Sequence, residues 1–546
     1  MRSLLRYAVP AVAVGLAVGS AAPPALARSA PPAPPHVPTA VGYGGAVASV
    51  DPDATQAGLD VLRHGGTAAD AAVAVAATLG VTEPYVAGVG GGGFLVHYDA
   101  RTHRISTLDG REKAPAAFTP TVFTDGNGNA LDFFTVVTSG LSVGVPGNLL
   151  TWQEALNRWG TMSLRDALRP AERVADRGFV VDQTFHDQTA SNTARLGKFA
   201  ASSKLFLPGG QPPAVGSVFR NPDLAATYRQ IGAQGVGALY RGSIGNDLVK
   251  VAQNPDVTPG NSVYHGLMTA ADLAAYTAPG RAPTHVNYRD LDVYGMAPPS
   301  SGGSTVGEAL NILSHFPMSG DRVQALHDYL EASKLSYADR NRWVGDPDQV
   351  DVPLSGLLSP AYGASRACLV DQAHAATAPV PPGDPTRPAT GCAAAGAGAA
   401  EPREGTSTNH FVVADRWGDV VSYTNTIEQI AGSAITVPGR GFLLNNELTD
   451  FDFVPLQAGV PDPNLPAADK RPRSSMSPTI VLRHGQPWLA VGSPGGSTII
   501  TTTLQILLDR IDFGMSLPDA IAAPRISQRN RSVTDAEAAF LAGPYA

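Results

Sequence analysis

Thr408-Asn409-His410-Phe411-Val412-Val413-Ala414-Asp415 and Asp419-Val420-Val421-Ser422-Tyr423-Thr424-Asn425-Thr426-Ile427-Glu428 are two strand-like runs separated by Arg416-Trp417-Gly418. A three-residue hairpin loop commonly needs a left-handed residue in its last place, which glycine supplies without steric cost, and Gly418 stands there. The runs are therefore expected to pair antiparallel with Asp415 opposite Asp419, which sets Thr408 opposite Thr426. Side chains directly opposed in such a pair have Cβ atoms about 4.5–5.5 Å apart. Glu428, two residues beyond Thr426, falls on the same strand face. One end of the hairpin thus gathers two hydroxyls and a carboxylate. Taken alone, the pattern also describes an ordinary edge hairpin with polar threonines.

Working outward, Gly441–Phe451 reads as a strand running into a polar turn, and Lys470–Ile480 follows it. Trp488–Val491 is a short apolar strand, then come Gly492-Ser493-Pro494-Gly495-Gly496 and a helix expected over Ser497–Arg510. A glycine turn between strand and helix exposes backbone N–H groups at a helix N-terminus, a place suited to a developing oxyanion as well as to a plain tight turn. Upstream, a helix is expected over Ala54–Arg63, stopped by Gly65-Gly66. A second, over Ala68–Leu79, is rich in Ala and Val and should be buried. After Pro84 the run Gly88-Val89-Gly90-Gly91-Gly92-Gly93 leads into a strand at Phe94–Tyr98. From Thr151 to about Ala361 the chain reads as mostly helical, with helical spacing of apolar residues in Met162–Asp176 and Gln324–Tyr337. Pro170 is expected to kink or split the first of these.

The chain has 546 residues, 43% hydrophobic and 16% charged, which suits a globular protein. Its net charge of −8, with no sustained basic stretch, argues against nucleic acid or anionic membranes as partners. Arg2 and Arg6, the apolar run Ala8–Ala22 and Ala25-Leu26-Ala27 form a secretory signal over residues 1–27. That run is shorter than the ~20 residues a spanning helix needs, so a secreted protein without a stable membrane anchor is expected. Residues 28–38 are a flexible lead-in. From Ala373 to Glu404 the composition collapses largely to Ala, Gly and Pro, as in a loose link. Cys368 and Cys392 flank this stretch; in an exported protein they could form a disulfide or remain two free thiols. The twelve histidines form no H-E-x-x-H pair or Cys/His cluster, so neither a metal nor a cofactor is expected.

Two motifs mislead. Gly88–Gly93 satisfies G-x-G-x-x-G, but a dinucleotide site needs a strand before it and a helix after it, the reverse of the order here. Its glycines are better explained by close backbone packing. Gly405-Thr406-Ser407 imitates the serine motif of subtilisin-like proteases, yet no suitable Asp or His segment accompanies it.

These segments together resemble the γ-glutamyltranspeptidase family of N-terminal-nucleophile hydrolases. The resemblance runs through Ala46–Gly66, Thr82–Phe94, Asp109–Pro115, Gly144–Gly147, Pro298–Gly303, Tyr337-Ala338-Asp339-Arg340 and Gly345-Asp346-Pro347, and is closest from Ser407 onward. It implies an α/β fold, a four-layer αββα sandwich, with a largely helical part from the large subunit. It also implies self-cleavage between Ser407 and Thr408 into a large subunit (39–407, with a low-complexity tail over about 373–407) and a small catalytic one (408–546). Thr408 would then be the nucleophile and its freed α-amine the base. An α-amine titrates near 7.7–8.0, close to working pH. Thr426 matches the threonine that hydrogen-bonds the nucleophile, and Gly495 and Gly496 match the oxyanion glycines. Arg111, Ser474 and Ser475 match the residues that hold the substrate α-carboxylate, and Glu428, Glu447 and Asp450 those that bind its α-amino group. The implied substrates are glutathione and other γ-glutamyl compounds, with water, an amino acid or a dipeptide as acceptor. A cephalosporin acylase, a poly-γ-glutamate processing enzyme, or an unprocessed non-catalytic relative are the alternatives. Asn409 departs from the family pattern, where a second Thr often follows the nucleophile. Phe451–Asp469 lies where some relatives carry a lid. The chain ends soon after Ala523-Pro524-Arg525, where the resemblance implies a further strand pair.

Overall fold

The hairpin forms in the expected register, with Ala414 opposite Val420 and Asn409 opposite Asn425. The computed structural model describes residues 39–387, 392, 398, 404, 405 and 407–545; the expected signal (1–27) and lead-in (28–38) lie outside the described residues. All elements named below belong to the unit Val41–Ala546. Its strands of four or more residues, in chain order, are β1 (Gly45–Ala48), β2 (Gly92–Asp99), β3 (Arg104–Gly110), β4 (Thr284–Tyr288), β5 (Leu291–Gly295), β6 (Asn409–Asp415), β7 (Val420–Thr426), β8 (Thr479–Arg483) and β9 (Gln486–Val491). They form two antiparallel sheets, ordered β1-β6-β7-β2-β3 and β9-β8-β5-β4.

Helices α1 (Pro52–Arg63), α2 (Ala68–Thr82), α3 (Asn148–Trp159) and α4 (Leu164–Arg177) share one apolar cluster with Leu95, Leu108, Phe411, Val413, Val421 and Tyr423 of the first sheet. The alternate residues Phe94, Val96, Tyr98 and Val420 turn the other way and meet Met296, Ile480 and Leu482 of the second sheet. Helices α5 (Gly302–Leu313), α6 (Arg322–Trp343) and α7 (Thr498–Ile511) cover the far side through Val306, Leu310, Tyr329 and Leu504, packed with Val286, Val293 and Val481. Strand period 2 thus sorts each sheet's side chains into two cores, giving the four layers αββα. Full burial of a Phe or Val side chain contributes about 1.5–3 kcal/mol, so the three cores are the main source of stability.

Local signals explain the entry. Asp51 caps α1 by accepting from the Ala54 amide at 2.7 Å. Thr67 and Asp70 form a capping box on α2. Asp415 accepts from the Ala68 amide at 2.8 Å, which fastens the hairpin turn to the start of α2. The glycine run is where the backbone of β2 lies along the catalytic end of β7: a Cβ at Gly91 would overlap the Thr426 carbonyl, so no larger residue fits.

Three expectations change. Pro170 neither splits nor ends α4, because buried Leu164, Ala167 and Leu168 before it and Ala171, Val174 and Ala175 after it hold one helix together. From Thr151 to Ala361 the chain is mostly helical, as expected, with β4 and β5 among the short strands that interrupt it. Gly441–Phe451 is no strand: one bridge joins Thr436 and Leu443, and a single 3-10 turn covers Glu447–Asp450. The Asn445 side chain takes the place of a partner strand, donating to the Gly90 and Gly144 carbonyls at 2.7 and 2.9 Å. Residues 373–387 lack regular structure but are not loose. Lys334 donates to the Ala376 carbonyl at 2.8 Å, and the Val380 and Gly383 amides donate to Asn530 and Asp339 at 2.6 and 2.5 Å.

Of the two possibilities for Cys368 and Cys392, the structure has two free, exposed thiols. Partial burial, then the neighbouring Cys392 thiol, pushes Cys368 up to about 11. Among the described residues no helix is long and apolar enough to cross a membrane.

Candidate active site

Thr408 sits just before β6, beside the end of β7, and both it and Ser407 are buried. Its hydroxyl donates to the carbonyl oxygen of Ser407. The Thr426 hydroxyl reaches the same oxygen at 3.4 Å, while it accepts from the Glu428 amide at 2.9 Å. That incoming N–H occupies a lone pair of the Thr426 oxygen and turns its proton toward the carbonyl. Thr426 therefore polarises the Ser407–Thr408 peptide, whereas the sequence placed it on the nucleophile's hydroxyl. Two hydroxyls on one carbonyl draw electron density from its carbon and make it more electrophilic.

Glu428 reaches the pocket by a different route from strand alternation. β7 ends at Thr426, and Glu428 adopts φ +78°. Its carboxyl is held by the Asn446 side chain, and burial raises its pKa well above the ordinary value. Asn446 was not singled out from the sequence. It also donates to Thr449 at 3.0 Å and accepts from the Gln429 amide at 3.0 Å, so it ties Glu428 to the 3-10 turn.

Arg111, Glu447 and Asp450 are brought together, but onto one another. Arg111 pairs with Glu447, and with Asp450 at 2.5 Å. It also donates to the Pro472 and Arg473 carbonyls at 3.1 and 2.9 Å. Burial raises the pKa of Asp450 and Arg111 opposes the shift. Ser474 is fixed by its backbone: its amide donates to Pro299, and its carbonyl accepts from Ser301 at 2.7 Å. Ser475 Oγ donates to Glu404 at 2.5 Å and accepts from Arg340 at 2.8 Å. Neither Arg340 nor Glu404 had a role in the sequence reading. Arg340 stood inside a quoted segment, and Glu404 closed the low-complexity stretch.

Arg111, Ser407, Thr408, Thr426, Glu428, Glu447, Asp450, Ser474, Ser475 and Gly496 line one pocket with Glu404 and Gly405, about 260 Å³ including its mouth. Gly495 and Gly496 have φ +127° and +58°, and lie just ahead of α7. No described residue accepts a hydrogen bond from either amide. His410, the nearest histidine in sequence, bonds Thr424 at 2.8 Å, and burial lowers it to about 3, which leaves it neutral and no base. Segment 451–469 contributes nothing to the pocket wall; it packs Phe453 on Phe123 with ring centroids 4.4 Å apart.

Glu112, next to Arg111, is fully buried, and its carboxyl oxygens bond no other described residue. Burial raises it from 4.5 to about 8, with Arg111 acting in the opposite sense. The folded state thus holds a proton that the unfolded state releases near pH 4.5, so stability present below that pH is lost as pH rises toward 8. Glu112→Gln is expected to flatten this dependence and raise Tm at pH 8 by about 2–4 °C, with little change at pH 4.5, in calorimetric scans at both pH values.

The sequence model of the family described as gamma-glutamyltranspeptidase matches residues 54–542. The glutathione hydrolase proenzyme of Bacillus subtilis (strain 168) is 41% identical over 497 residues, 90% of this chain and 82% of that protein. That of Escherichia coli (strain K12) is 38% identical over 527 residues, 91% and 85% of the two chains. Among solved structures, the cephalosporin acylase of Bacillus halodurans superposes with a TM-score of 0.78 at 27% identity, covering 94% of this chain and 89% of that one.

Proposed function

The chain belongs to the gamma-glutamyltranspeptidase family, and we propose that it is a self-processing γ-glutamyltransferase and glutathione hydrolase whose nucleophile is Thr408. In the first stage Thr408 Oγ1 attacks the Ser407 carbonyl carbon and the Ser407–Thr408 C–N bond breaks. The freed nitrogen takes up a proton, and an ester joins Ser407 to Thr408. Water opens the ester, leaving a large subunit that ends in the Ser407 carboxylate and a small one that begins with the Thr408 amine.

In the second stage that amine accepts the Thr408 hydroxyl proton as Oγ1 attacks the γ-carbonyl of a glutamyl amide. The same proton goes to the leaving amine. The γ-glutamyl ester then passes its group to water or to the amine of an amino acid or peptide. Gly495 and Gly496 offer their amides to the oxyanion. Arg111, Ser474 and Ser475 take the substrate α-carboxylate, and Glu428, Glu447 and Asp450 take its ammonium. The leader over residues 1–27 sends the protein out of the cell. The observation that carries this reading is the Thr408 hydroxyl resting on the Ser407 carbonyl inside a pocket walled by both acids and a guanidinium.

Likeness to a cephalosporin acylase supports a second reading, in which the acyl group need carry no α-amine. The two separate by substrate. The protein should release amine from a γ-glutamyl amide at least about 100-fold faster than from the matching glutaryl amide, because without the ammonium buried acids go unpaired. Equal or faster glutaryl turnover would establish the acylase.

A further inference from the structure

We infer that Glu404 is a tethered occupant of the substrate's carboxylate subsite, and that after cleavage the free end of the large subunit competes there with the γ-glutamyl donor. The inference rests on the proposed cleavage at Ser407–Thr408. One carboxylate oxygen of Glu404 meets the Arg340 guanidinium, and the other accepts from Ser475 Oγ at 2.5 Å. The side chain is 4% exposed. Its neighbour Gly405 packs so closely on Glu428 that a Cβ there would overlap the carboxyl. Glu404-Gly405 therefore sets a carboxylate on a cation and a serine, and backbone against an acid, inside one pocket. The α-carbon end of a γ-glutamyl substrate also carries a carboxylate, and would need Ser475 and the space beside Glu428 for itself.

The subsite is built rather than incidental. Arg340 is 1% exposed and is oriented by Ser301 at 2.8 Å, Asn341 at 2.9 Å and Ser475 at 2.8 Å. Its ion pair among the described residues is with Glu404. If Glu404 withdraws, a buried guanidinium loses its counter-charge, which is costly unless another carboxylate arrives. Substrate binding thus requires the incoming α-carboxylate, held by Arg111 and Ser474, to take Ser475 from Glu404. Cutting the chain after Ser407 does not release Glu404, because the same segment remains joined to Gly383, whose amide is bonded to Asp339 at 2.5 Å. A tether of this kind holds its end at an effective concentration on the order of millimolar. The tail raises the apparent KM for the donor and leaves kcat unchanged, since it competes only for the empty pocket.

The experiment compares wild type with Glu404→Gln on a γ-glutamyl amide, after a denaturing gel has shown both chains cut. The expected result is equal kcat and a KM about tenfold lower in the variant, the equivalent of about 1.4 kcal/mol. Normal cutting with an unchanged or higher KM overturns the inference. Should Glu404→Gln remain uncut, a chain otherwise wild type but carrying a specific protease sequence at residues 393–397 is allowed to mature and then trimmed. A fall in KM on trimming upholds the competitor role, and no change overturns it. An inactive, uncut wild-type chain would instead defeat the catalytic reading itself.

Discussion

Thr408→Ala runs as one full-length species on a denaturing gel and turns over no γ-glutamyl substrate, while wild type gives two fragments, the smaller beginning Thr-Asn-His-Phe. Both halves of this result follow from one oxygen atom. The hydroxyl that lies on the Ser407 carbonyl is lost, so the peptide is never converted to an ester and the amine meant to act as base is never freed. The loss should reach about 10⁴-fold or more, because removing a nucleophile leaves only binding and oxyanion stabilisation. Thr408→Ser keeps the oxygen and should still cut, more slowly, since the absent methyl no longer restricts the side-chain rotamer. Edman sequencing of the smaller band and a timed gel settle both variants. A cut Thr408→Ala chain would transfer the nucleophile to another residue.

Arg111→Leu should be the most destabilising single change in the pocket. The guanidinium neutralises Glu447 and Asp450 and donates to two backbone carbonyls, all away from water. Removing one member of a buried pair leaves an uncompensated charge and typically costs about 3–5 kcal/mol. Denaturant unfolding at pH 7 should record that loss. A variant as stable as wild type at pH 7 would mean that the pairing carries little energy.

The parts of this molecule that sequence made legible are those where a local rule leaves one choice. Gly418 in the last place of a three-residue loop set the register of β6 and β7, and with it the meeting of Thr408 and Thr426. The β4–β5 hairpin escaped because its turn, Arg289-Asp290, holds both residues at positive φ, 49° and 63°, without the glycine that usually announces such a turn. Alternation was present in Thr284–Tyr288, buried at every second residue, but it lay in a stretch dominated by helical spacing. Glu404 was hidden by its company, an Ala-, Gly- and Pro-rich run whose composition says nothing about the single carboxylate at its end. Arg340 and Asn446 act by holding other groups, and a distance between chain segments is not written in either segment alone. Glu428 was found by strand alternation although the chain reaches its position through a left-handed turn.

The strand order of the first sheet bears on the proposed cut after Ser407. β6 and β7, which follow Ser407, are inserted between β1 and β2, which precede it. Once the bond is cut, two separate polypeptides share one ladder of backbone hydrogen bonds, interleaved like shuffled cards. The precursor can fill that gap as a unimolecular event, because its own chain holds the pieces together. The cut pair must find one another from solution, with entropy that chain connectivity no longer supplies. Maturation is thus a ratchet: it leaves the native contacts in place while making their loss a matter of dilution, so that lifetime rather than equilibrium governs how long the mature protein persists.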